Sequence, residues 1–143
     1  MKIILGANKA CLQEKEHIQK LLQQQGFEVV DVSDTNCNDF VQVSKQVAQQ
    51  VQKKPSELKG IIIDEYGAGP FMVADKMKYI ICAELNDEHS AKMTRQHNNA
   101  NVITLGVQVI GLQVAENIVQ RFVHAEYDGG RHQIRIDMLN KMC

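Results

Sequence analysis

The chain has 143 residues, with 16 Lys and Arg against 17 Asp and Glu, for a formal net charge of −1 with histidine neutral. A hydrophobic fraction of 44% with only two prolines marks a globular chain able to bury one core and excludes a disordered segment. The near-zero charge offers no global attraction to nucleic acid or an anionic membrane, so a bound anion must find its charge locally.

Met1-Lys2-Ile3-Ile4-Leu5 is too short for a secretory core and is followed at once by Gly6. No later run approaches the roughly 20 apolar residues that span a bilayer. Residues 2–5 read as a first buried strand, and Leu12, Ile18, Leu21 and Leu22 as the apolar stripe of a helix stopped by Gly26. Residues 27–32 are rich in β-branched side chains and predict a second strand. Phe40, Val43, Val47 and Val51 then recur at helical spacing. A third strand is expected at 60–63, followed by a short helix starting at Pro70, a residue suited to a first helical turn. Residues 79–85 and 101–105 predict strands four and five, with a helix near 87–96 between them. Val114, Ala115, Ile118, Val119, Phe122 and Val123 mark the next helix. The chain breaks at Asp128-Gly129-Gly130 and resumes as a helix over 131–142, which either packs on a neighbouring subunit or folds back on its own domain.

Strands alternating with helices at this spacing predict an α/β fold with right-handed crossovers. It is a Rossmann-like three-layer α/β/α sandwich with a five-stranded parallel sheet and an extra C-terminal helix, read as a single domain over residues 1–143. Cys11, Cys37, Cys82 and Cys143 show no CxxC spacing and read as reduced cytosolic thiols, with neither a disulfide framework nor a metal site.

In open α/β sheets ligands bind beyond the carboxyl ends of the strands. After the first strand, Lys9 either meets a phosphate or is an ordinary solvated lysine at a helix start. After the third, Asp64-Glu65-Tyr66-Gly67-Ala68-Gly69-Pro70 places Gly67 and Gly69 where backbone N–H groups can approach an anion. Asp64 and Glu65 read equally as a base, as solvated loop residues or as a helix cap, and the loop lacks both a Walker ending and a complete GxGxxG. In Arg95-Gln96-His97-Asn98-Asn99, His97 suits proton transfer and Asn98 offers a donor and an acceptor; a surface histidine closing a helix is the plainer alternative. Arg131 and Arg135, four apart after the glycine break, match phosphate oxygens bidentately or pair with an acidic face. His17, His89 and His124 read as surface residues.

Four blocks together resemble the family that contains type B ribose-phosphate isomerases and the two subunits of galactose-6-phosphate isomerase. They are Gly6 after the first strand, Tyr66-Gly67-Ala68-Gly69 with Asp75-Lys76, the run from Arg95 to Gly106, and Gly129-Gly130-Arg131-His132-Gln133-Ile134-Arg135. The resemblance implies a dimerising Rossmann-like fold, sites formed across the subunit boundary, and cofactor-free, metal-free aldose–ketose isomerisation. By position, His97 resembles the ring-opening acid/base, Asn98 the residue polarising the enediolate, and Arg131 and Arg135 the phosphate clamp. The family's proton-transferring cysteine is replaced by Asp64, and its Asp-His pair by Asn8-Lys9.

That pattern is similar to the A-type branch, which interconverts galactose 6-phosphate and tagatose 6-phosphate in lactose and galactose catabolism. The resemblance therefore implies a B-type partner subunit supplying the base, with homodimerisation of the isolated chain left open. Two alternatives stand beside it: a homomeric isomerase using Asp64 or Glu65 as base, and a non-catalytic sugar-phosphate-binding regulatory module.

Overall fold

The structure is a computed structural model describing residues 1–36 and 39–143; Cys37, read above as a reduced thiol, lies outside the described residues. Five parallel strands, β1 (Lys2–Ala7), β2 (Glu28–Asp31), β3 (Leu58–Asp64), β4 (Cys82–Glu84) and β5 (Val102–Gly106), stand in the order β2-β1-β3-β5-β4. They alternate with α1 (Leu12–Gln24), α2 (Phe40–Gln52), α3 (Ala68–Ala74), α4 (Glu88–Asn98), α5 (Val107–His124) and α6 (Gln133–Asn140).

Strand alternation divides the core. Ile3, Leu5, Ile61, Ile63, Ile103 and Leu105 face one side, where they pack with Ile18 and Leu22 of α1, Ala91 of α4 and Ile118 and Phe122 of α5. Ile4, Ile62 and Val102 face the other, against Val47, Ala48 and Val51 of α2 and Ala74 of α3. The result is the Rossmann-like α/β/α sandwich expected from the alternation of elements. Among the described residues no helix is long and apolar enough to cross a membrane.

Local chemistry sets the ends of elements. Gly26 (φ 87°) stops α1: its N–H donates to Gln23 O (3.0 Å), while the Phe27 N–H reaches back to Leu22 O (3.1 Å). Asp39 opens α2 by accepting from the Val41 N–H at 2.8 Å. Strand β4 begins three residues later than expected because side chains replace the ladder. Asn101 accepts from the Ile81 N–H (3.0 Å) and donates to Tyr79 O (2.8 Å), and Asp75 accepts from the Cys82 N–H (3.2 Å). Gly6 is a packing residue inside β1 and not a turn: a Cβ there would lie 2.6 Å from Val47 Cγ2, so its absence lets α2 approach the sheet.

Lys59 enters the core from β3, donating to Val123 O (3.3 Å) beside the Phe122 ring (5.5 Å to its centroid). Burial, aided by the nearby Arg95 charge and opposed by Glu126, pushes its pKa from 10.5 down to about 8. Because the folded value is the lower one, the unfolded chain binds more protons between these two pH values, and stability rises with pH across the window by about 3 kcal/mol. Lys59→Met removes that contribution. Denaturant melts should show the variant's stability advantage shrinking from pH 8 to 10.5; a gap constant with pH would refute the assignment.

Candidate functional site

The candidate residues fall at two ends of the sheet. At the carboxyl end, the chain leaves β1 toward β2 on one side and returns to β3 on the other, which opens a crevice between the ends of β1 and β3. Asn8 and Asp64 bridge it, the Asn8 amide donating to Asp64 Oδ1 at 2.7 Å. Asp64 Oδ2 accepts from the backbone N–H groups of Tyr66 (3.1 Å) and Gly67 (3.0 Å), and the carboxylate is only 8% exposed. It is neither solvated nor free: it closes the loop.

That loop is held against the start of α5. The Gln108 N–H donates to Glu65 O at 3.0 Å, and Gln108 Nε2 lies 3.4 Å from Glu65 Oε1. Gly67 (φ 85°) occupies the left-handed turn before α3 and is buried, while Gly69 sits under the Phe40 ring, 2.8 Å from where its Cβ would be. Helix α3 starts at Ala68, so Pro70 lies within its first turn. Lys9 is exposed on the 3-10 turn that leads into α1, and Asn8 caps that turn by accepting from the Ala10 N–H at 3.1 Å. Cys11 lies buried behind this loop. Burial and the nearby Glu14, Asp64 and Glu65 push its thiol up to about 12, so it stays protonated and is no thiolate nucleophile or base.

The second group lies at the other end. Helix α4 follows β4 and runs back to the start of β5, which carries His97 and Asn98 to the amino ends of the strands. A strand of five residues separates the groups by on the order of 16 Å. The last turn of α4 is braced from inside: buried Arg95 donates to Ala100 O (2.6 Å), and Asn99 closes the helix in a left-handed conformation (φ 54°). Burial lowers the Arg95 pKa.

Asp128, the Gly129 and Gly130 turn and α6 complete this end. The Asp128 N–H donates to Gln96 O at 3.0 Å, which ties the turn to α4. His132 stacks on His97 with ring centroids 4.4 Å apart and planes 13° from parallel. Desolvation, with the nearby His97, Arg131 and Arg135 charges, holds the His132 pKa below the usual imidazole value. Arg131 occupies a 3-10 turn and Arg135 the first helical turn of α6, so the expected helix over 131–142 is regular only from Gln133 to Asn140. Both arginines are exposed, and among the described residues neither forms an ion pair.

The structure thus brings His97, Asn98, Arg131 and Arg135 to one end and Lys9, Gly67 and Gly69 to the other. It also adds two neighbours that the sequence reading gave no role. In the sequence His132 is one position of a motif and Asp128 part of a chain break. Their one signal was proximity to Arg131. His17 is bonded to Glu116, and His124 packs on Phe27 and bonds to Gln25, both on the surface as expected.

Residues 3–139 match the Ribose/Galactose Isomerase family. The chain is 55% identical over 143 residues to galactose-6-phosphate isomerase subunit LacA of Streptococcus equi subsp. zooepidemicus, covering 100% of both chains. It is 51% identical to the LacA subunit of Lactococcus lactis subsp. lactis, again over the full length of both. Among solved structures, ribose-5-phosphate isomerase B from Clostridium thermocellum superposes with a TM-score of 0.93 at 32% identity, over 99% of this chain and 97% of that one. The Mycoplasma genitalium enzyme with bound ribulose-5-phosphate gives 0.92 at 33% identity, over 98% and 94%.

Proposed function

The chain belongs to the Ribose/Galactose Isomerase family, and we propose that it is the A-type subunit of a galactose-6-phosphate isomerase whose active site is shared with a related B-type chain. The observation that carries this reading is the separation of the two groups of residues to opposite ends of the sheet. One copy of this chain cannot bring His97 to its own crevice between β1 and β3, whereas the end of another subunit can.

In the shared site, His97 donates a proton to the sugar ring oxygen and takes one from the anomeric hydroxyl, opening the ring. A base on the B-type chain then removes the proton from C2. The negative charge spreads over the enediolate, where the Asn98 amide donates a hydrogen bond; the hydroxyl proton passes from O2 to O1 and the carbon proton returns at C1, giving tagatose 6-phosphate. No net oxidation occurs. Arg131 and Arg135, with no ion pair of their own, clamp the phosphate. Helix α6 packs on the partner, since Ile134 (71% exposed) and Met138 (58%) are left uncovered in the single chain. The unpaired thiols of Cys11, Cys82 and Cys143 fit a reducing cytoplasm.

The homomeric alternative with Asp64 as base is disfavoured by the bonding of that carboxylate; with Glu65, half-buried and 3.4 Å from Gln108 Nε2, it stands as the competing reading. All the contacts of Asp64 support the closed loop, and none leaves its carboxylate aimed at a substrate. Activity on galactose 6-phosphate is expected only after the chain is mixed with a B-type subunit. Asp64→Asn should leave that activity within a few-fold of wild type, yet lower stability by about 1–3 kcal/mol, because the new amide opposes a donor in its hydrogen-bond set. Turnover by the isolated wild-type chain would overturn the shared-site reading, and its loss in Asp64→Asn or in Glu65→Gln would name the base.

A further inference from the structure

Apart from any role in isomerisation, three side chains converge where α4 meets the Gly129 and Gly130 turn. His97 comes from the last turn of α4, His132 from the 3-10 turn before α6, and Asp128 from the segment between them and α5. One ring nitrogen of each histidine and one Asp128 oxygen all lie within 4.8 Å of one another. We propose that these three residues form a site for a divalent transition-metal ion of the zinc, cobalt or nickel class.

The donor set suits such an ion: two imidazoles and one carboxylate supply three ligands and leave open positions for water or an oxygen ligand. Bonds of about 2.0–2.2 Å in a tetrahedral arrangement bring donors to roughly 3.4 Å from one another. The groups, all within 4.8 Å of one another, therefore have to close by at most about 1.4 Å, and the near-parallel rings have to splay. Both changes are asked of the His97, His132 and Asp128 side chains. The backbone is already fixed, by the Asp128 N–H to Gln96 O bond (3.0 Å) and the His132 N–H to Gly129 O bond (3.1 Å). None of the three side chains has a hydrogen-bond partner among the described residues, so binding breaks no existing bond.

The site also sits on His97, so an ion there would occupy the lone pair that ring opening needs. Zinc would then act as an inhibitor reversed by chelation. That consequence depends on the proposed role of His97; occupancy of the site does not, and it is measured without substrate.

The test uses the full chain carrying Cys143→Ser, which removes an exposed thiol that would compete for the ion. Titration with Co2+ should give saturable visible ligand-field absorption at one ion per chain, with a Kd on the order of 1–100 µM. Asp128→Asn and His132→Gln should each weaken binding about tenfold or more. Zn2+ should shift the ring resonances of His97 and His132 in the unsubstituted pair and spare those of His17, His89 and His124. No saturable absorption, equal binding in both variants, or shifts confined to the other three histidines would overturn the proposal.

Discussion

In the complex with a B-type chain, His97→Ala is expected to lower kcat on galactose 6-phosphate by about 10²–10⁴-fold, the range that a positioned general acid/base contributes. The ring is half-buried on the last turn of α4 and held by stacking on His132. Its side chain makes no hydrogen bond that supports the fold, so thermal unfolding of the variant should change by no more than about 0.5 kcal/mol. Arg131→Ala provides the contrast. An exposed arginine that grips a non-reacting phosphate binds ground state and transition state alike, so its loss should raise KM by about 10–100-fold with kcat much less affected. Steady-state kinetics of the two reconstituted complexes separates these effects. A His97→Ala complex with wild-type kcat would remove the residue on which the proposed chemistry rests.

Gly106→Ala should be the most damaging single methyl group in the chain. A Cβ at this position would lie 2.2 Å from Tyr66 O and 2.4 Å from Tyr66 C, both backbone atoms that no rotamer change can move away. Gly106 has φ −101°, so the requirement for glycine is one of space and not of backbone strain. The added methyl must push the loop over 64–67 away from the start of α5, which breaks the Gln108 N–H to Glu65 O bond (3.0 Å) and leaves buried Asp64 with poorer partners. The cost is expected to be about 3 kcal/mol, lowering Tm by roughly 10 °C for a chain of this length. Since the overlap lies at the carboxyl end of the sheet, His97 should keep its place: a Gly106→Ala chain that survives folding should still complement a B-type subunit. Unchanged Tm would mean that Tyr66 and Gly106 do not touch as described.

The layered architecture was legible because apolar side chains alternate or recur locally. Ile61, Ile62 and Ile63 form a run that only a strand buried on both faces accommodates, and Ile18 and Leu22 mark one side of a helix. The stop at Gly26 and the cap at Asp39 are likewise matters of a few neighbouring residues. The late start of β4 was not legible, because it depends on Asn101, which lies 20 residues beyond Ile81 and takes over its backbone bonding. The role of Gly6 was not legible for a similar reason: what it accommodates is Val47, brought in by a helix more than 30 residues on.

The candidate site divides in the same way. Its residue types were readable from Arg95-Gln96-His97-Asn98 and from Arg131 and Arg135, and their likeness to one family's motifs tied them together. Sequence by itself thus determined the sandwich and the residue types present, including a carboxylate and no cysteine at position 64. Only the tertiary structure decided that Asp64 is spent on closing its own loop, that His132 stacks on a histidine 35 positions earlier, and that His97 lies a strand's length from the crevice between β1 and β3. The physical reason is that periodicity and capping act between chain neighbours. Which end of the sheet a side chain reaches, and what it meets there, depends on the direction of every crossover before it.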